Sequence, residues 1–238
     1  MITVHHLENS RSQRILWLLE ELGQDYNIIE YKRDSQTSEA PAALKKVHPL
    51  GKSPVITDSN GLSDTNNDTH NDGSGDLVTV AESGAIIDYL IDRYDSEQRL
   101  KPTRGQALLD YRYWLHFAEG SMMPLLVMKL VLAKIPESPM PFFVKPIAKV
   151  ISCKVQEKFI QPRLQPQMQL IEQTLGQHTW LTGEQLTAAD IQMSFPLMAS
   201  AFDWPAARYP NITRYIKQIE ALPAYKTAVE KGGALSTL

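Results

Sequence analysis

The chain changes character near residue 100. Strand and helix signals alternate before that point, and only helical signals follow it. Residues 2–7 predict a short strand. Residues 12–22 carry Ile15, Leu16, Leu18, Leu19 and Leu22 at helical spacing, with Gly23 placed to end the helix, and residues 26–31 predict a second strand. A strand, a helix and a strand in that order make a βαβ unit with parallel strands. Residues 40–46 predict a short helix and residues 55–57 and 77–80 two more strands. Residues 83–94 predict a helix with Ile86, Ile87, Leu90 and Tyr94 on one side. Beyond that come helical patterns over 103–133 (interrupted at Pro124), 147–175 (bent near Pro162 and Pro166), 188–201, 212–221 and 224–230. Residues 135–146 hold Pro136, Pro139, Pro141 and Pro146 and predict a connection. The expected fold class is therefore α/β plus all-α: a βαβ-ββα domain over residues 1–95 and an all-helical domain over 104–238.

Composition excludes several functions. A formal net charge of -3 on 238 residues gives no electrostatic reason to bind nucleic acid or an anionic membrane. Uninterrupted apolar runs are far short of a membrane span, and the N-terminus lacks a signal-peptide pattern. The lone cysteine, Cys153, forms no internal disulfide, which leads us to expect a cytoplasmic protein.

Local motifs sharpen this picture. Pro54 opens a β-rich run, where it removes a ladder donor, and an X-Pro bond is the one place a cis peptide is cheap. A cis Ser53-Pro54 bond would turn the N–H and C=O of Ser53 outward. Glu82-Ser83 then puts an acid and a hydroxyl at a helix start. Thr187 and Asp190 form a capping box, with Leu186 and Ile191 at the staple positions, and read as folding residues. Residues 58–76, rich in Asn, Asp, Ser, Thr and Gly, predict a solvated hairpin loop. Asp68, His70, Asp72 and Gly73 approximate the start of a calcium loop. His70 is a poor calcium ligand, however, and Thr79 stands where a bidentate Glu is needed, so no metal is expected. Gly51-Lys52-Ser53 is no phosphate loop, because Lys46 occupies the first glycine position and Pro54 forbids the following helix.

In this order and at these spacings, Asn9-Ser10-Arg11-Ser12, Lys52-Ser53-Pro54, Glu82-Ser83 and the Thr187–Asp190 box resemble the cytosolic glutathione S-transferases. The resemblance covers essentially the whole chain. Residues 12–22 and 140–147 are most similar to the bacterial and fungal branch related to the yeast GTT-type enzymes, with a serine-type active site. It implies a thioredoxin-like first domain, a helical-bundle second domain, glutathione as co-substrate with no metal, a homodimer and conjugation to hydrophobic electrophiles. Glutathione peroxidase activity is a further expectation. A non-catalytic glutathione- or ligand-binding protein, or an adaptor of the same fold, is the alternative.

The chemistry required is modest. Glutathione carries a thiol of ordinary acidity, near about 8.5, and the thiolate is the nucleophile. Lowering that value by about two units takes roughly 2.7 kcal/mol of preference for the anion. One hydrogen bond to a charged group supplies about 1.5–3 kcal/mol, and a helix N-terminus about 0.3–1. Ser10 matches the family's serine and is the first candidate for this hydroxyl. Ser12 is the second, and Asn9 is a further contact. Ser10 could instead be an N-cap, and Ser12 could cap in its place. By the resemblance, the Ser53 backbone beside Pro54 meets the cysteinyl part, Glu82 the γ-glutamyl ammonium and Ser83 its carboxylate, while Lys52 suits the glycyl carboxylate. Ordinary readings exist for each: a charged first turn at Glu82 and Ser83, a solvated loop lysine at Lys52. Tyr111, Trp114, Leu115 and Met122 could line a second-substrate pocket, as could Met123, Phe142 and Phe143, or they could be core.

Overall fold

The structure, a computed structural model, describes residues 1–34, 37, 39–60, 77–201 and 204–234. It divides into two compact units. In the first, β1 (Ile2–Leu7) lies between β2 (Tyr26–Tyr31) and β3 (Val55–Asp58), and β4 (Val78–Ala81) closes the sheet in the order β2-β1-β3-β4. β1 and β2 are parallel, as a βαβ unit requires, and the other pairings are antiparallel. α1 (Gln13–Glu21) makes the crossover. It ends where Gly23 takes a left-handed φ of 63°, with the Gly23 and Gln24 N–H groups closing on Glu20 and Leu19 carbonyls. α2 (Ser83–Tyr94) buries Ile86, Ile87, Leu90 and Ile91. Asp58 at the end of β3 accepts hydrogen bonds from Tyr89 and Tyr94 of α2, fastening helix to sheet. The central part of the predicted 58–76 loop, with Asp68, His70, Asp72 and Gly73, lies outside the described residues.

The second unit is helical. α3 (Gly105–Phe117) and α4 (Met123–Lys134) are joined by a π-helical turn, Ala118–Met122. α5 (Lys145–Val155) and α6 (Gln161–Gln177) are joined by another, Gln156–Ile160. α7 (Ala188–Ser200) is buried along almost its whole length, and α8 (Pro210–Ala221) follows. The capping box at the start of α7 is present, with the Thr187 N–H 2.9 Å from an Asp190 carboxylate oxygen.

Two expectations need correction. α9 (Pro223–Gly232) follows the helical elements in sequence, yet the chain from Glu220 groups with Met1–Lys101, not with residues 102–219. The cause is apolar: residues 13–19 of α1 are all buried, and α9 packs along this helix together with α2 and β1. Tyr225 packs edge-on to Trp17 at 5.3 Å, and Gln13 Nε2 donates to the Ala228 carbonyl at 2.8 Å. The second correction concerns apolar length. The continuous helical stretch Gly105–Glu137, 33 residues, is long and apolar enough to cross a membrane by length and composition. Counting uninterrupted apolar runs missed it, because polar residues are spread along it. Tyr111, Trp114, Leu115, Phe117, Leu125 and Leu126 are buried within the unit, whereas Leu109, Tyr113, Val127, Met128, Val131 and Ile135 are exposed, so core packing accounts for only part of that apolarity.

Candidate functional site

Strand register brings the scattered motifs to one end of the sheet. His5 of β1 pairs with Val55 of β3, and Val55 pairs with Ala81 of β4. The segments leaving β1 at Leu7, entering β3 from Ser53 and leaving β4 toward Glu82 therefore share that end. Asn9 turns the first segment with a left-handed φ of 47°, a conformation Asn tolerates better than most residues. Ser10 and Ser12 follow, both buried.

The two serines touch. Ser10 Oγ lies 2.7 Å from Ser12 Oγ and accepts from the Ser12 N–H at 3.2 Å. Ser12 stands at the N-cap of α1, but its side chain makes no capping bond. Its oxygen is held 2.9 Å from His6 Nδ1, with the Leu7 carbonyl a longer partner at 3.4 Å. Neither serine serves as the cap that the sequence offered, because Ser10 is committed to Ser12 and Ser12 to Ser10 and His6. His6 Nε2 in turn is 2.8 Å from the Gly232 carbonyl at the end of α9. A carbonyl only accepts, so Nε2 carries a proton, and in neutral His6 the bare Nδ1 accepts the Ser12 hydroxyl. Burial pushes the His6 imidazole below its ordinary value; the Gly232 carbonyl and the charge of Glu30 oppose that shift without reversing it. The ring is thus neutral at pH 7.

Ser53 and Pro54 are joined by a cis peptide bond. Ser53 Oγ donates to the His5 carbonyl at 3.0 Å, which anchors the loop to β1. The Ser53 N–H and C=O enter no hydrogen bond with any described residue. Pro54 is buried and Lys52 exposed. Gly51 before them has a φ of 57°, and a Cβ there would press on the Lys45 side chain. Across the sheet end, Glu82 is exposed and adopts a φ of 72°, costly for a residue with a Cβ, while Ser83 is buried at the first position of α2. Arg14 of α1, also buried, donates to Ser83 Oγ at 2.9 Å.

Tyr111, Trp114, Leu115, Met122 and Met123 are all buried in the helical unit, and Trp114 stacks edge-on with Phe117 at 5.2 Å. This placement is that of core residues rather than of an open pocket wall. Phe142 and Phe143 are the opposite, 85 % and 64 % exposed. No group of three or more potential metal-binding side chains occurs among the described residues.

Residues 10–93 match the family described as glutathione S-transferase, N-terminal domain, and residues 141–231 match glutathione S-transferase, C-terminal domain. The chain is a glutathione S-transferase family member. Full-length relatives agree. It is 32 % identical to glutathione S-transferase 1 of Saccharomyces cerevisiae, over all of this chain and 97 % of the relative. It is 34 % identical to glutathione S-transferase 3 of Schizosaccharomyces pombe, over 97 % of this chain and 88 % of the relative. A crystal structure of a glutathione S-transferase from Actinobacillus pleuropneumoniae superposes with a TM-score of 0.74 at 36 % identity, covering 99 % of this chain and 95 % of that one. The glutathione S-transferase fold, a four-stranded thioredoxin-like domain followed by helices, is thus the one the sequence led us to expect.

Two residues at this sheet end were not singled out from the sequence, His6 and Arg14. A signal for each was available. Ile2, Val4 and His6 share one face of β1 by strand alternation, and Arg14 shares a face of α1 with Leu18. A polar group in an apolar row needs a partner, and these partners lie at Ser12, Gly232 and Ser83.

Proposed function

We propose that this glutathione S-transferase family member adds the thiolate of glutathione to apolar electrophiles, with the Ser10 hydroxyl stabilising the sulfur and Ser12 supporting it. The observation that carries this reading is the convergence at one sheet end of the Ser10–Ser12 pair, the unengaged Ser53 backbone and the Glu82–Ser83 helix start. Ser53 offers one donor and one acceptor to the cysteinyl unit, in strand fashion beside Pro54. Ser83 and the N-terminus of α2 suit the γ-glutamyl carboxylate, and the Arg14 guanidinium behind Ser83 adds a positive charge there. Glu82 suits the ammonium, Lys52 the glycyl carboxylate, and Asn9 borders the sulfur. The exposed Phe142 and Phe143 supply apolar surface of the kind an electrophile needs. The same thiolate supports reduction of organic hydroperoxides, with a second glutathione completing the disulfide. A homodimer is supported by Leu109 and Tyr113 of α3, 57 % and 48 % exposed. The exposed free thiol of Cys153 suits a reducing, cytoplasmic setting.

Ser10→Ala tests the central role. Loss of one hydrogen bond to an anion costs about 1.5–3 kcal/mol, so kcat/KM for conjugation should fall roughly 10- to 100-fold while calorimetry still detects glutathione binding. Unchanged conjugation with intact binding would remove Ser10 from the role. Failure of the native chain to bind glutathione at all would favour an adaptor of the same fold.

A further inference from the structure

We propose that His6 is the terminal acceptor of the glutathione thiol proton, reached through Ser10 and Ser12 as a two-hydroxyl relay; this rests on the reading of Ser10 as the group at the sulfur. His6 touches no substrate atom and acts only through Ser12.

Hydrogen-bond direction carries the inference. The Gly232 carbonyl fixes the proton on His6 Nε2, so the bare Nδ1 takes the Ser12 hydroxyl proton as a hydrogen bond at 2.9 Å. A hydroxyl has one proton. With that of Ser12 directed at His6, the nearer of its two acceptors (the Leu7 carbonyl lies at 3.4 Å), the 2.7 Å contact between the serines is Ser10 donating to Ser12. Ser10 Oγ also accepts the Ser12 N–H at 3.2 Å, which leaves it one lone pair and no proton to offer. With His6 neutral, then, Ser10 can accept a thiol S–H but cannot donate to a thiolate. Protonation of His6 at Nδ1 reverses every link. The imidazolium donates to Ser12, Ser12 donates to Ser10, and the Ser10 proton is free for the sulfur anion.

The relay step balances without an outside reagent. The thiol proton passes to Ser10 Oγ, the Ser10 proton to Ser12 Oγ, and the Ser12 proton to Nδ1. The products are a thiolate, two neutral serines and an imidazolium. After addition to an electrophile, the proton returns along the same path to the product carbanion. After a substitution it leaves to water. The groups around His6 suit a transient cation. Glu30 of β2 occupies the adjacent register position, and the Gly232 carbonyl of α9 keeps its bond to Nε2 in both protonation states. From α1, Ser12 reaches it, the uncharged Gln13 lies like the His6 ring beside Gly232, and Lys231 of α9 is engaged by Glu20. Burial keeps the resting imidazole neutral and its Nδ1 bare, and the same burial opposes the imidazolium, so the cation is a transient one.

The test is the pH midpoint of thiolate formation by bound glutathione, read by ultraviolet absorbance in the full-length protein. Ser12→Ala removes one oxygen from the relay. His6→Gln keeps an amide donor for Gly232 but has no basic nitrogen. Each should raise the midpoint by roughly one to two units and lower kcat/KM at neutral pH roughly 10- to 100-fold, with glutathione affinity nearly unchanged. The double variant should be no worse than either single one, since both cut the same path. Unmoved midpoints in both single variants, or additive losses in the double, would overturn the relay. Ser10→Ala separates the two levels. If it moves the midpoint and the other variants do not, the relay alone falls; if it does not move the midpoint, the reading of Ser10 falls and the relay with it.

Discussion

Asp58 ends β3 in a fully buried position and still remains ionised. Burial alone would push its carboxyl up. Hydrogen bonds from Tyr94, the Asn60 N–H and Tyr89, together with the N-terminal ammonium, hold it below the ordinary value. A carboxyl depressed on folding stabilises above its unfolded value, near about 4, and loses that contribution as pH falls through the folded one. Asp58→Asn should therefore cost about 1.5–3 kcal/mol at pH 7. The gap between variant and native chain should close in acid, as urea titrations across a pH series would show. Residues of this kind mark the limit of sequence reading. Ser10, Ser53, Glu82 and Ser83 stand out because a loop, a proline or a helix start frames them locally. Asp58 with Tyr89 and Tyr94, or His6 with Gly232, are joined only by the folded sheet, and no local spacing encodes those partnerships.

At the scale of elements, prolines explain the helical unit. Pro124 and Pro162 cannot donate to a helical ladder, and each follows a π-helical turn in which the preceding N–H skips back by five. Met123 reaches the Ala118 carbonyl and Gln161 reaches Gln156. The prolines were legible as interruptions, but the sequence does not say whether a helix breaks or widens at such a point; here it widens and continues. The start of α7 was legible as a capping box, and the structure adds to its role. Asp190 also accepts from the Leu181 N–H at 2.9 Å and the Tyr215 hydroxyl at 3.1 Å. Burial pushes its carboxyl up to about 6. Raised above the unfolded value of 3.8, it favours the fold most in acid, and this contribution is lost as pH rises through about 6. Asp190→Ala would orphan several buried donors at once, each worth about 1–3 kcal/mol. Its cost in thermal or urea unfolding should exceed the roughly 1 kcal/mol of an ordinary cap.

For the whole molecule, the expected assembly makes a mass prediction. Light scattering should give twice the chain's 26.8 kDa, and a value at the single-chain mass would refute the homodimer. Leu109→Lys or Tyr113→Lys on α3 should shift the native species toward monomer if that surface is the contact. The two-part organisation was readable from the switch in periodicity near residue 100. The return of the chain to the first unit was not, because an amphipathic helix advertises a face to bury and not the surface that will receive it.

That return bears on how the protein is born. Residues 13–21 leave the ribosome long before residues 223–232, yet α1 needs α9 against it before Leu16 and Trp17 are sealed. The unit whose synthesis begins first is the last to be completed, and translation of the entire helical unit intervenes. A nascent chain paused short of Pro223 carries an uncovered tryptophan face, the kind of surface that recruits chaperones or pairs wrongly with a neighbouring chain.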